Sequence, residues 1–106
     1  MMNGNFDPEQ NLKNHDQTVD ARGWLEWDDD DASAVITITV TQDGYDCPAP
    51  PMTCLAPDDK WRVDVTRGEP PAWSKGAASG TASAVVTRDD GTTYPVEWNS
   101  PPLTLH

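Results

Sequence analysis

Apolar and polar side chains alternate along most of this chain, and the alternation has the two-residue period of a strand rather than the 3.6-residue period of a helix. Val19, Ala21, Gly23, Leu25 and Trp27 fall on one side of a stretch whose other side carries Asp20, Arg22, Trp24 and Glu26. That pattern predicts a half-buried strand with Trp24 on its wet face. After the acidic turn Asp28-Asp29-Asp30-Asp31, Ala34, Ile36, Ile38 and Val40 alternate with Val35, Thr37, Thr39 and Thr41. Nearly every one of these residues is β-branched, which favours a strand over a helix. Trp61, Val63 and Val65, set against Lys60, Arg62, Asp64 and Thr66, predict a third strand.

Toward the carboxyl end the pattern predicts a hairpin with a defined register. Asp89-Asp90-Gly91 reads as a three-residue loop in which Gly91 takes the left-handed conformation. Arg88 then opposes Thr92, Val86 opposes Tyr94, Ala84 opposes Val96, and Ala82 opposes Trp98, so the large groups share one face. The incoming strand shows a row of small residues, Ala78, Gly80, Ala82 and Ala84, suited to packing against bulky partners such as Trp98, Trp61 or Trp27. Pro95 cannot donate to a ladder and is expected at an edge or bulge. Leu103 and Leu105 add a short closing strand.

Between these elements the pattern lapses. Residues 1–18 hold only Phe6 and Leu12 as large apolar groups besides the initial methionines and read as a polar arm outside the core, leaving 19–106 as the folded domain. Residues 43–59 form a long Pro-rich connection, which in a compact domain is functional, disordered or hides a short strand. Arg67 to Lys75, with Gly68, Pro70, Pro71 and Trp73, is a second loop. Roughly six or seven strands at these spacings predict an all-β fold, an antiparallel immunoglobulin-like or fibronectin-like β-sandwich. At 106 residues there is room for one such core.

Charge narrows the functional classes. Eighteen acidic residues against seven basic ones give a formal charge of −11, and most of the acids are Asp, which prefers turns. Nucleic acid and anionic membranes are disfavoured as partners, because both repel such a chain at long range. No apolar run approaches membrane-spanning length, and residues 1–20 show no signal peptide.

Catalysis is not expected. A nucleophile needs a neighbouring base, and the two histidines, His15 and His106, lie in the terminal segments. Cys47 and Cys54, eight residues apart inclusive in the Pro-rich connection, are candidates for a disulfide worth about 2–3 kcal/mol. A bridge there would argue for an extracellular, virion or cell-surface setting. Asp43, Asp46, Asp58, Asp59, Asp89 and Asp90 are expected to gather at one end of the sandwich, opposite Asp28–Asp31, and several converging carboxylates are what Ca²⁺ requires. Trp24, Trp73 and Tyr45 are the aromatic residues least easily buried, hence candidate contacts for a sugar ring or a protein partner.

Three roles follow as expectations. The first is a non-enzymatic structural or protein-interaction module that presents loops and its amino-terminal arm to a partner or to copies of itself. The second is a carbohydrate- or calcium-binding module. The third is an inhibitor, acting either as an acidic decoy or through a stiff loop around Met52.

Overall fold

The computed structural model describes residues 1–67 and 72–106. Among them are ten strands and no helix: β1 (Asn3–Phe6), β2 (Glu9–Lys13), β3 (Thr18–Glu26), β4 (Asp31–Gln42), β5 (Tyr45–Pro48), β6 (Met52–Leu55), β7 (Lys60–Thr66), β8 (Gly76–Arg88), β9 (Thr93–Asn99) and β10 (Leu103–Leu105). Ten exceeds the expected six or seven because three lengths of strand are each broken in two. β1 and β2 run end to end along β3, β5 and β6 along β4, and β10 and β9 along β8. Each break contains proline: Pro8, Pro50-Pro51 and Pro101-Pro102. Proline lacks the amide that a continuous ladder needs, so the chain leaves the sheet and rejoins it.

The pairing is not wholly antiparallel. β7, β3 and the β1/β2 pair form one group, and β5/β6, β4, β8 and β9/β10 form another. The two are joined where β10 meets β2 in parallel, with Leu105 beside Gln10. The inward faces close on a single core that includes Val19 and Ala21 of β3, Ile36 and Ile38 of β4, Trp61 of β7 and Val86 of β8. The β8–β9 hairpin has the register expected from its turn: Val86 faces Tyr94, Ala84 faces Val96, and Ala82 faces Trp98. Gly91 has φ of 85° and Arg88 N–H donates to the Thr92 carbonyl at 2.8 Å.

Residues 1–18 are not an arm outside the core. Met2 and Phe6 are fully buried, and the Met2 amide donates to Tyr94 Oη at 2.8 Å. Phe6 meets Trp61 edge-on, with centroids 5.0 Å apart. It also fills the space above Gly80, where a Cβ would lie 2.6 Å from the Phe6 ring. The row of small residues on β8 thus receives its bulk from the amino-terminal segment as well as from Trp98. A parallel case lies at Gly23, whose absent Cβ leaves room for the Trp61 ring and the Asn5 carbonyl.

The long connection from 43 to 59 contains β5 and β6. Asp43 and Gly44 both have positive φ, 53° and 76°, and Gln42 pairs with Tyr45. That is a two-residue turn whose twist suits adjacent strands. In the second expected loop, Gly68, Pro70 and Pro71 lie outside the described residues, and Trp73 is buried. No helix among the described residues is long and apolar enough to cross a membrane.

Candidate functional site

Because Val19, Ala21, Gly23 and Leu25 turn inward, Asp20, Arg22, Trp24 and Glu26 lie on the outer face of β3. The neighbouring strand β7 buries Trp61 and Val65 and turns Lys60, Arg62 and Asp64 to the same side. Their register sets Trp24 beside Lys60, Arg22 beside Arg62, and Asp20 beside Asp64. Here the face is concave. A cleft of about 570 Å³ is lined by Asp7, Arg22, Gly23, Trp24, Asp58, Lys60, Trp61 and Arg62. Trp24 is 44% exposed in it.

Asp20 organises the cationic half. Its carboxylate accepts from Arg62 Nε at 2.8 Å, from Arg62 Nη2 at 2.7 Å and from Arg22 Nη2 at 2.7 Å. Burial alone would raise the Asp20 pKa, but the hydrogen bonds and charges of Arg62 and Arg22 outweigh it and hold the carboxyl below the usual Asp value. Two like charges directly opposite on adjacent strands repel, and the carboxylate between them holds the pair together.

A second buried polar group fixes the backbone beneath. Gln10, fully buried, accepts from the Arg22 amide through Oε1 at 3.0 Å and donates through Nε2 to the Arg22 carbonyl at 3.0 Å. It also donates to the Asp7 carbonyl. The amide side chain completes the β3 hydrogen bonds at the point where Pro8 has broken the neighbouring strand. Asp7 and Asp58, on the rim, each accept a backbone amide, from Glu9 at 2.9 Å and from Lys60 at 3.3 Å. The cleft therefore offers one aromatic face, guanidinium and ammonium donors, and carboxylate acceptors.

Of the three aromatic candidates, only Trp24 lies in this cleft. Trp73 is 2% exposed, with Nε1 donating to the Val65 carbonyl at 3.2 Å, and is a core residue rather than a contact surface. Tyr45 is exposed at the far end of the molecule, where the Arg67 guanidinium stacks on its ring 4.2 Å from the centroid.

The six aspartates do not gather at one end. Asp58 and Asp59 lie beside the β3–β4 turn, where the Leu25 amide donates to the Asp59 carbonyl and Trp27 Nε1 to that of Asp58. Asp89 is there too, its amide bonded to the Asp30 carbonyl, with Asp90 next to it. Asp43 and Asp46 are at the opposite end, on the β4–β5 hairpin. The reason is that β5 and β6 carry the chain back along the whole of β4, so residue 58 returns to the end from which β4 started. Among the described residues no three His, Cys, Asp or Glu side chains form a metal-sized group.

Cys47 and Cys54 are both free thiols. Cys47 pairs with Val40 and Cys54 with Ala34, six residues apart on β4. That separation is about 20 Å at 3.3–3.4 Å per residue, against the ~4.4–6.8 Å between Cα atoms that a disulfide needs. Burial pushes both thiols above their ordinary pKa. Met52 pairs with Ile36 in β6, so it is not at the tip of a protruding loop.

Sequence reasoning placed Trp24 but missed Arg22, Lys60, Arg62, Asp20 and Gln10. A signal was present: three of the seven basic residues occupy outward positions of two strands that would only have to be neighbours to meet. Comparison with protein-family models, with curated proteins and with solved structures gives no match for this chain.

Proposed function

We propose that this chain is a non-enzymatic binding module that takes a carbohydrate in the cleft between β3 and β7. The observation that carries the reading is Trp24, a large ring left open to solvent in a concave site whose other walls are hydrogen-bonding charged groups. An aromatic face packs against the C–H face of a sugar at small conformational cost. Arg, Lys and Asp side chains meet the hydroxyl groups around it as donors and acceptors. A strand-borne site braced by Gln10 and Asp20 is rigid before ligand arrives, which lowers the cost of binding. The test is calorimetric and fluorescence titration against a glycan panel with the wild type and Trp24→Ala. Binding that Trp24→Ala weakens supports the reading, and a panel with no binder refutes it.

The architecture we infer is an immunoglobulin-like sandwich. What supports this reading is that the lengths of strand divide three and four, β7–β3–β1/β2 and β5/β6–β4–β8–β9/β10, around one core. Such scaffolds commonly serve recognition, but fold alone assigns no function.

A protein-interaction role has its own observation. Val35 and Val85 are neighbours on β4 and β8, both exposed, and Leu55 is exposed nearby on β6. Since residues 1–18 belong to the sheet, a protein partner would meet this outer face rather than an arm. Analytical ultracentrifugation of the wild type and of Val35→Ser/Val85→Ser tests self-association: a wild-type oligomer lost in the variant supports the role, and monomers throughout remove the self-assembling form of it.

A further inference from the structure

We propose that the sugar bound in the β3–β7 cleft is acidic, its carboxylate or sulfate received by Arg22 and Arg62 while its ring lies on Trp24. The inference rests on the carbohydrate reading and adds a ligand class to it. Arg22 and Arg62 are direct cross-strand partners, an arrangement that costs stability unless something negative lies between or before them. Asp20 supplies one negative charge for two positive ones. It takes two of the N–H donors of Arg62 and one of Arg22, out of five on each guanidinium. Among the described residues no other acceptor takes the rest.

Arg22 Nε is buried, but Asp20 fixes how the two guanidiniums stand side by side, so the Nη donors it leaves free form one preorganised patch, suited to the bidentate hydrogen bonding that a planar oxyanion accepts. Lys60, opposite Trp24, adds a third cation beside the ring. Trp24 and Arg22 are two residues apart on β3, about 7 Å along the strand. That spacing lets a pyranose lie on the indole while a charged substituent on it reaches the arginine pair. The formal charge of −11 on the whole chain opposes anions at a distance, yet charges more than about 8 Å away are largely screened at physiological salt. Asp7 and Asp58 line the same cleft, so with Asp20 its carboxylates match Arg22, Lys60 and Arg62 in number, and the preference for an acid comes from the paired guanidiniums standing together rather than from net charge.

The experiment uses the full chain and oligosaccharides in matched pairs: oligogalacturonate and its methyl ester, sialyllactose and lactose, and a sulfated N-acetyllactosamine oligosaccharide and its unsulfated form. For at least one pair, the acidic member should bind about tenfold or more tightly, with an affinity that falls as salt rises. Arg62 is 64% exposed in its side chain, so Arg62→Gln should fold, as circular dichroism checks, and should bring the ratio within a pair close to one by weakening the acidic member far more than the neutral one. Arg62→Lys, which keeps the charge but not the fork of donors, should retain only part of the preference. Trp24→Ala should weaken both members. Equal binding of acidic and neutral members, or an acid preference unchanged in Arg62→Gln, overturns this inference and leaves the carbohydrate reading in place. If no oligosaccharide binds, the carbohydrate reading fails and this inference falls with it.

Discussion

Replacing Phe6 by Ala removes a ring that belongs to the core although it lies in the most polar stretch of the chain. Phe6 is 2% exposed, meets Trp61 in an edge-on contact, and fills the gap that Gly80 leaves. A Phe-to-Ala change at such a site costs about 3–5 kcal/mol, from lost burial and an unfilled cavity together. With an unfolding entropy of about 2.1 cal/mol/K per residue over the chain, the melting temperature should fall by roughly 13–22 °C. Urea denaturation followed by tryptophan fluorescence measures the loss directly. The reciprocal change, Gly80→Ala, forces a methyl group into the same ring and should cost about 1–3 kcal/mol. That cost should shrink when Phe6 is already Ala, because the two sites are in contact. A Phe6→Ala loss under about 1 kcal/mol, near the value for an exposed position, would refute the packing and restore the free arm.

Asp20→Asn should destabilise the chain by about 1–2 kcal/mol, a discounted figure because both arginine partners are partly exposed. The folded Asp20 carboxyl titrates below the usual Asp value because of its arginine partners, so its contribution is complete above the unfolded pKa and is lost as pH falls through the lower folded one. The difference between wild type and variant should therefore be present near pH 7 and shrink as the pH falls through the acid range, and a pH-independent difference would contradict the assignment. Without reductant, the unfolded chain should take up two maleimide groups by mass spectrometry. In the folded state Cys54 should react before the more deeply buried Cys47, and an intact mass showing a disulfide would refute the register of β5 and β6.

What could be read from the sequence was what is local. The alternation in β4 and the Asp89-Asp90-Gly91 turn each lie within a few residues, and the turn together with the pattern of its flanking strands gave the β8–β9 register. The amino-terminal strands escaped because their evidence is relational. Phe6 makes sense only against Gly80, and Gly23 only against Trp61, pairs brought together by tertiary folding. The Asp43-Gly44 hairpin did carry a local signal, but Pro48, Pro50 and Pro51 after it argued for an irregular loop. Taking residues 43–59 as one connection then placed Asp58 and Asp59 at the wrong end. Trp24 was legible from strand parity alone, whereas its neighbours Lys60 and Arg62 depend on β3 pairing with β7 across more than thirty intervening residues.

The most direct test of the binding account is the indole N–H spectrum of the five tryptophans during titration with an acidic oligosaccharide. The Trp24 resonance should move in step with binding while those of the buried Trp73 and Trp98 stay in place. Saturable movement at Trp73 with Trp24 unchanged, or no movement at any indole, would contradict the account.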